Sequence, residues 1–205
     1  MDAYKLSFKV FAEDPTTRRQ PVIGAPQFVP VFHSWIQTHA VPDHLLVDVA
    51  DYDHVESGPG TALIAHEGNF YTDRADHRLG IMYQRKQPLP NSTFADRLAF
   101  VFRTTLEAAA RLESDPALSN KLRFHTDEAI LRIHDRLLAP NTSETFLAVK
   151  PDLERFFAAL YPRADVRLTH RPSPQKLFEV QIKSSQSPEL GALLDNLALS
   201  PTASH

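Results

Sequence analysis

The sequence predicts an α+β domain: an antiparallel or mixed sheet, built from two strand-helix-strand-strand-like halves, with helices packed on one face. Three observations predict it. Short runs with the two-residue alternation of a strand recur along the chain, long stretches with helical spacing separate them, and the later strands are joined by short hairpin connections.

The elements follow in order. From Tyr4 to Ala12, Leu6, Phe8 and Val10 alternate with Ser7 and Lys9, the pattern of a half-buried first strand. A polar connection with three prolines, Glu13 to Gln27, leads into a short helix over Val29 to Thr38, where Phe32, Trp35 and Ile36 share a stripe and Pro30 fits a first turn. Leu45 to Ala50 and Thr61 to Ala65 read as a hairpin with a long loop ending Gly58-Pro59-Gly60, and Arg78 to Lys86 as a further strand. Behind the polar start Asn91-Ser92-Thr93, the stripe Phe94, Leu98, Val101, Phe102, Leu106, Ala109 and Leu112 predicts the central helix.

In the second half, Ala129 to Leu138 fits both periods, and its alternation of Leu131 and Ile133 with Arg132, His134 and Arg136 favours a strand. Phe146, Val149, Leu153, Phe157 and Leu160 keep helical spacing across Pro151, which predicts a kinked helix or two helices with the second starting at that proline. Val166 to Leu168 and Leu177 to Ile182 complete a terminal hairpin. The domain is expected to span residues 1–184, with 185–205 a C-terminal tail that holds a short amphipathic run at Leu190 to Leu199.

Composition narrows the function classes. At 205 residues the chain is long enough for one proper core, and 42% hydrophobic against 23% charged residues is ordinary for a globular chain. A net charge of −3 opposes generic attraction to phosphate backbones, so nucleic acid is not an expected partner. With no cysteine there is no thiolate nucleophile, disulfide or zinc ribbon, and any divalent metal would need His, Asp or Glu ligands. Neither a leader-like amino terminus nor a bilayer-length apolar stretch stands out, so the expectation is a soluble cytoplasmic protein without membrane partners.

The main anomaly lies between Asp43 and His77. Eight carboxylates (Asp43, Asp48, Asp51, Asp53, Glu56, Glu67, Asp73, Asp76) and four histidines (His44, His54, His66, His77) meet one arginine there. Asp51, Asp53, His54 and His66 are the candidate metal ligands; Trp35, His33, Asp51, His54, His66 and Glu67 are the candidate ligand-binding residues. A metal needs its donors within about 2.0–2.2 Å of one ion, and the hairpin as read sets Asp51, Asp53 and His54 at one end and His66 at the other. The ordinary alternative is a solvated acidic loop whose aspartates cap turns. His66 and Glu67, as strand neighbours, point to opposite faces and make a poor acid–base dyad. Likewise, helical spacing favours Phe32, Trp35 and Ile36 as a core stripe with His33 on the exposed face.

Nucleophile elbows, phosphate-binding glycine loops and metalloprotease patterns are missing from the sequence. Arg132, Arg136, Arg167 and Arg171 would make an anion-binding face if they shared one, or pair with acids across strands. In architecture alone the paired strand-helix-strand-strand units resemble the tandem modules of the GyrI-like small-molecule-binding group, which implies a ligand groove between halves. The expected function is a non-catalytic small-ligand-binding or regulatory module. The alternatives are a metal-assisted hydrolase using residues 48–67, and an interaction subunit or homo-oligomer pairing through edge strands.

Overall fold

The computed structural model describes residues 1–55 and 58–199. Its strands are β1 (Leu6–Glu13), β2 (Leu46–Asp51), β3 (Thr61–Ala65), β4 (Gly68–Tyr71), β5 (Gly80–Arg85), β6 (Arg123–Ile133), β7 (Val166–His170) and β8 (Phe178–Ser184). They form one sheet, order β2-β3-β4-β5-β1-β6-β8-β7, in which every pairing is antiparallel. Helices α1 (Ala25–Gln37), α2 (Phe94–Ser114), α3 (Ser143–Leu160) and α4 (Leu190–Leu199) pack on one face. The two halves meet at the central pair β1 and β6.

The core lies between that face and the helices. Leu6, Phe8, Val10 and Ala12 of β1 point into it, and the Phe8 ring meets Phe102 of α2 at 4.8 Å and Phe157 of α3 at 6.2 Å. Edge-to-face contacts of this kind add to the free energy of burying the rings. Leu190, Leu193 and Leu197 are also buried, so the expected C-terminal run is a helix integral to the core; residues 200–205 lie outside the described residues.

Alternation in β1 predicted one wet face, yet Ser7 and Lys9 are as buried as their neighbours. The cause is the connection from β4 to β5, which folds back over the face opposite the helices. There the Lys9 ammonium donates to the Ala75 carbonyl at 2.7 Å and pairs with Asp73 at 2.8 Å, while the Arg78 guanidinium lies 3.8 Å from the Phe11 ring centre. Burying a lysine requires such a partner. Gly80 lets the lysine stem cross: a Cβ there would stand 2.4 Å from the Val10 carbonyl and 2.8 Å from Lys9 Cε.

Several boundaries differ from the sequence reading for local reasons. Helix α1 begins four residues early, because Pro26 suits a first turn and Gln27 and Asp53 accept from the Gly24 and Ala25 N–H groups at 2.9 and 2.7 Å. Pro30 therefore lies inside the helix. Strand β6 runs over 123–133 rather than 129–138; Asp135 accepts from the Leu137 and Leu138 N–H groups, both at 3.1 Å, and this turn ends it. Helix α3 is one helix across Pro151. The four-residue β4, absent from the sequence reading, follows a two-residue connection at His66-Glu67. Thr93 caps α2, as expected of the polar start Asn91-Ser92-Thr93, and Thr142 caps α3 in the same way.

Candidate functional site

The residues singled out in the sequence are spread apart. The pairing of Leu46 with Ala65 and Asp51 with Thr61 sets Asp51, Asp53 and His54 at one end of the β2–β3 hairpin and His66 and Glu67 at the other. Among the described residues no group of three or more His, Asp or Glu side chains is placed to hold a metal ion; Glu56 lies outside the described residues. Trp35 is sealed in the core between Phe32 and Phe70, and His33, two residues ahead, is exposed.

Four acidic side chains of this segment are occupied by backbone donors. Asp48 accepts from Val49 at 2.8 Å, Asp51 from Asp53 at 2.9 Å, and Asp53 from Ala25 at 2.7 Å. Glu67 accepts from the Leu45 N–H at 2.7 Å; burial, the largest influence, would raise its pKa, but this bond, a second backbone N–H and the nearby His44 and His66 together hold the carboxyl below the usual range. Nearby, His44 is hydrogen-bonded to the Tyr83 hydroxyl at 2.7 Å, and burial pushes the imidazole pKa down and the phenol up to about 12.

Of the arginines considered for an anion-binding face, Arg132 bonds Glu179 across strands at 2.7 Å and Arg136 donates to the Gln175 carbonyl at 3.1 Å. Elsewhere on the sheet Glu128 receives Arg78 at 2.9 Å with Lys183 at 3.7 Å.

A different set of side chains converges where the two halves meet. At the far end of β1 and the start of β6 lies a polar cavity of about 280 Å³. A bulge between Val10 and Ala12 resets the register there, so that Glu13 lies opposite Arg123. Asp14 then holds a tight turn by accepting from the Thr16 and Thr17 N–H groups, which returns Arg18 to the Glu13 carboxylate. The other Glu13 oxygen is 3.4 Å from His125 Nε2, and His125 Nδ1 is 3.6 Å from Asp127 Oδ1. His125 and Asp127 share a strand face because they are two apart.

From the last turn of α2, Glu113 accepts the Phe124 N–H at 2.5 Å; burial raises its pKa, and that bond opposes the rise only in part. Thr126 Oγ1 is 3.0 Å from Ser187 Oγ on the segment leading to α4, and Arg123 pairs with Glu189 at 2.6 Å. Two of the four acidic side chains lining the cavity, Glu13 and Glu189, face arginines; Glu113 and Asp127 are not in any such pair. Asp127 Oδ1 is enclosed and lacks a hydrogen-bond partner among the described residues.

Sequence reasoning missed this set because its members stand about a hundred residues apart, and because the start of β6 was placed after them. The signal present was Arg123-Phe124-His125-Thr126-Asp127, an alternation of polar with apolar or hydroxyl side chains. No family model matches the chain, and neither a curated protein nor a solved structure matches it.

Proposed function

We propose that this protein is a small-ligand-binding module whose seat is the polar cavity between β1, β6, α2 and the segment before α4. The cavity is at the small end of ligand-site volumes, which suits a compact polar molecule. Its lining offers acceptors in excess of donors, so the matching ligand is a small cation carrying N–H groups, an amine or a guanidinium. The observation that carries this reading is Asp127 Oδ1: a buried acceptor without a hydrogen bond costs about 1–3 kcal/mol, which a ligand N–H placed there would recover. The hydrolase alternative draws nothing comparable from Asp48, Asp51, Asp53 and Glu67, whose carboxylates already serve backbone N–H groups.

Calorimetric titration with methylguanidinium and a short diamine, against tetramethylammonium as a cation without N–H donors, tests the reading. The donor-bearing cations are expected to bind and to raise the melting temperature, and Asp127→Asn to weaken binding about tenfold. Equal binding of tetramethylammonium, or no loss in the variant, would overturn it.

A further inference from the structure

Of the two sheet edges, β2 is closed to further pairing and β7 is open. Strand β2 is bulged between Leu46 and Asp48, its outward Val49 N–H is taken by the Asp48 carboxylate, and Asp43, Asp48, Asp51 and Asp53 give it one sign of charge. Bulges, self-capping and charge are devices that keep an edge from pairing. Strand β7 has neither a bulge nor a self-capping carboxylate among the described residues, and the charges on and beside it, Asp165, Arg167 and Arg171, are of mixed sign. The Asp165 carbonyl accepts the Ser185 N–H at 2.9 Å, so alternation turns the N–H and C=O groups of Val166, Leu168 and His170 outward. No side chain among the described residues caps those groups.

We infer that β7 is the interface of a symmetric dimer, in which two copies join their sheets edge to edge, antiparallel, about a two-fold axis at Leu168. The register follows from charge. With Leu168 opposite Leu168 of the second copy, Val166 faces His170, Arg167 faces Thr169, and Asp165 faces Arg171, with the same pairs repeated across the axis. Asp165 and Arg171 are both exposed, lie on the same face of the strand, and fall in non-hydrogen-bonded pairs, where side chains stand closest.

Neighbouring registers that keep outward groups opposed are worse. A shift one way sets Arg167 against Arg167, and a shift the other way sets Arg167 against Arg171. Pro162 and Pro172 bound the strand and limit the ladder to its middle. Of these three registers, only the one that pairs Asp165 with Arg171 avoids setting like charges opposite one another.

Sedimentation velocity on the full chain across micromolar concentrations tests this. The wild type is expected to approach twice the 23.1 kDa chain mass as concentration rises. Asp165→Arg and Arg171→Asp, each placing like charges opposite one another twice, are expected to raise the dissociation constant about tenfold. The double variant carrying both changes restores opposite charges and is expected to dimerise as the wild type does. Because both positions are exposed, circular dichroism of each variant should match the wild type. A wild type that stays monomeric, or a dimer indifferent to the single changes or not restored by the double, overturns the inference.

Discussion

His134 makes the pH dependence of folding measurable one group at a time. Its Nε2 is hydrogen-bonded to Ser7 Oγ at 2.8 Å on the face opposite the helices, and burial, reinforced by the Arg132 guanidinium, pushes its pKa down to about 4. In the unfolded chain the imidazole titrates near 6.5. Between those two values the unfolded state binds more protons than the native state, so stability must fall as pH falls. The full contribution is present above about pH 6.5 and is lost progressively toward pH 4. A gap of about 2.5 units at 1.36 kcal/mol each corresponds to about 3 kcal/mol.

The perturbation is His134→Gln, which cannot titrate and keeps an amide to reach Ser7. Urea unfolding of both proteins at a series of pH values gives the assay, because carboxylates and the other histidines are common to both and cancel in the difference. The wild type is expected to lose about 3 kcal/mol relative to the variant between pH 7 and pH 4. A stability difference that stays flat with pH would show that His134 titrates normally in the folded protein and that its burial is not as described.

Three further substitutions test local structure. Gly80→Ala is expected to destabilise by about 1–3 kcal/mol or more, since its methyl group meets the Val10 carbonyl and the Lys9 stem; Gly191→Ala, where a Cβ meets nothing within 4 Å, should be neutral or stabilising by up to about 1 kcal/mol. Asp53→Ala removes an acceptor from the first turn of α1 and is expected to cost about 1 kcal/mol in chemical denaturation, a loss that would not appear if the residue were a solvated loop acid.

The fold class was legible because the sheet and helices obey their own periods. The stripe from Phe94 to Leu112 is read correctly since a helix that covers a sheet must be apolar on one side only. Reading failed where an element's exposure depends on something distant. Ser7 and Lys9 look like a wet strand face, and only the return of residues 72–79 over them, with Asp73 ready to meet the ammonium, makes both buried. The beginning of β6 failed for the opposite reason: Arg123 to Glu128 pair with β1 and β8 but carry cavity and cross-strand charges, so their composition resembles a loop.

Density of acids along the chain pointed away from the cavity for a related reason. A short acidic side chain accepts the nearest backbone N–H, as Asp48 and Asp51 do, while Asp53 caps the first turn of α1 and Glu67 accepts from Leu45 beside β2. Such an oxygen is already satisfied and has little left to offer a ligand. Glu13, Glu113 and Asp127 come from separate stretches of sequence, brought together by a bulge, a helix end and a strand start. Since affinity comes from acceptors the fold leaves unfilled, the informative quantity is residual hydrogen-bonding capacity in a concave place. By that measure one oxygen of Asp127 outweighs the whole acidic hairpin.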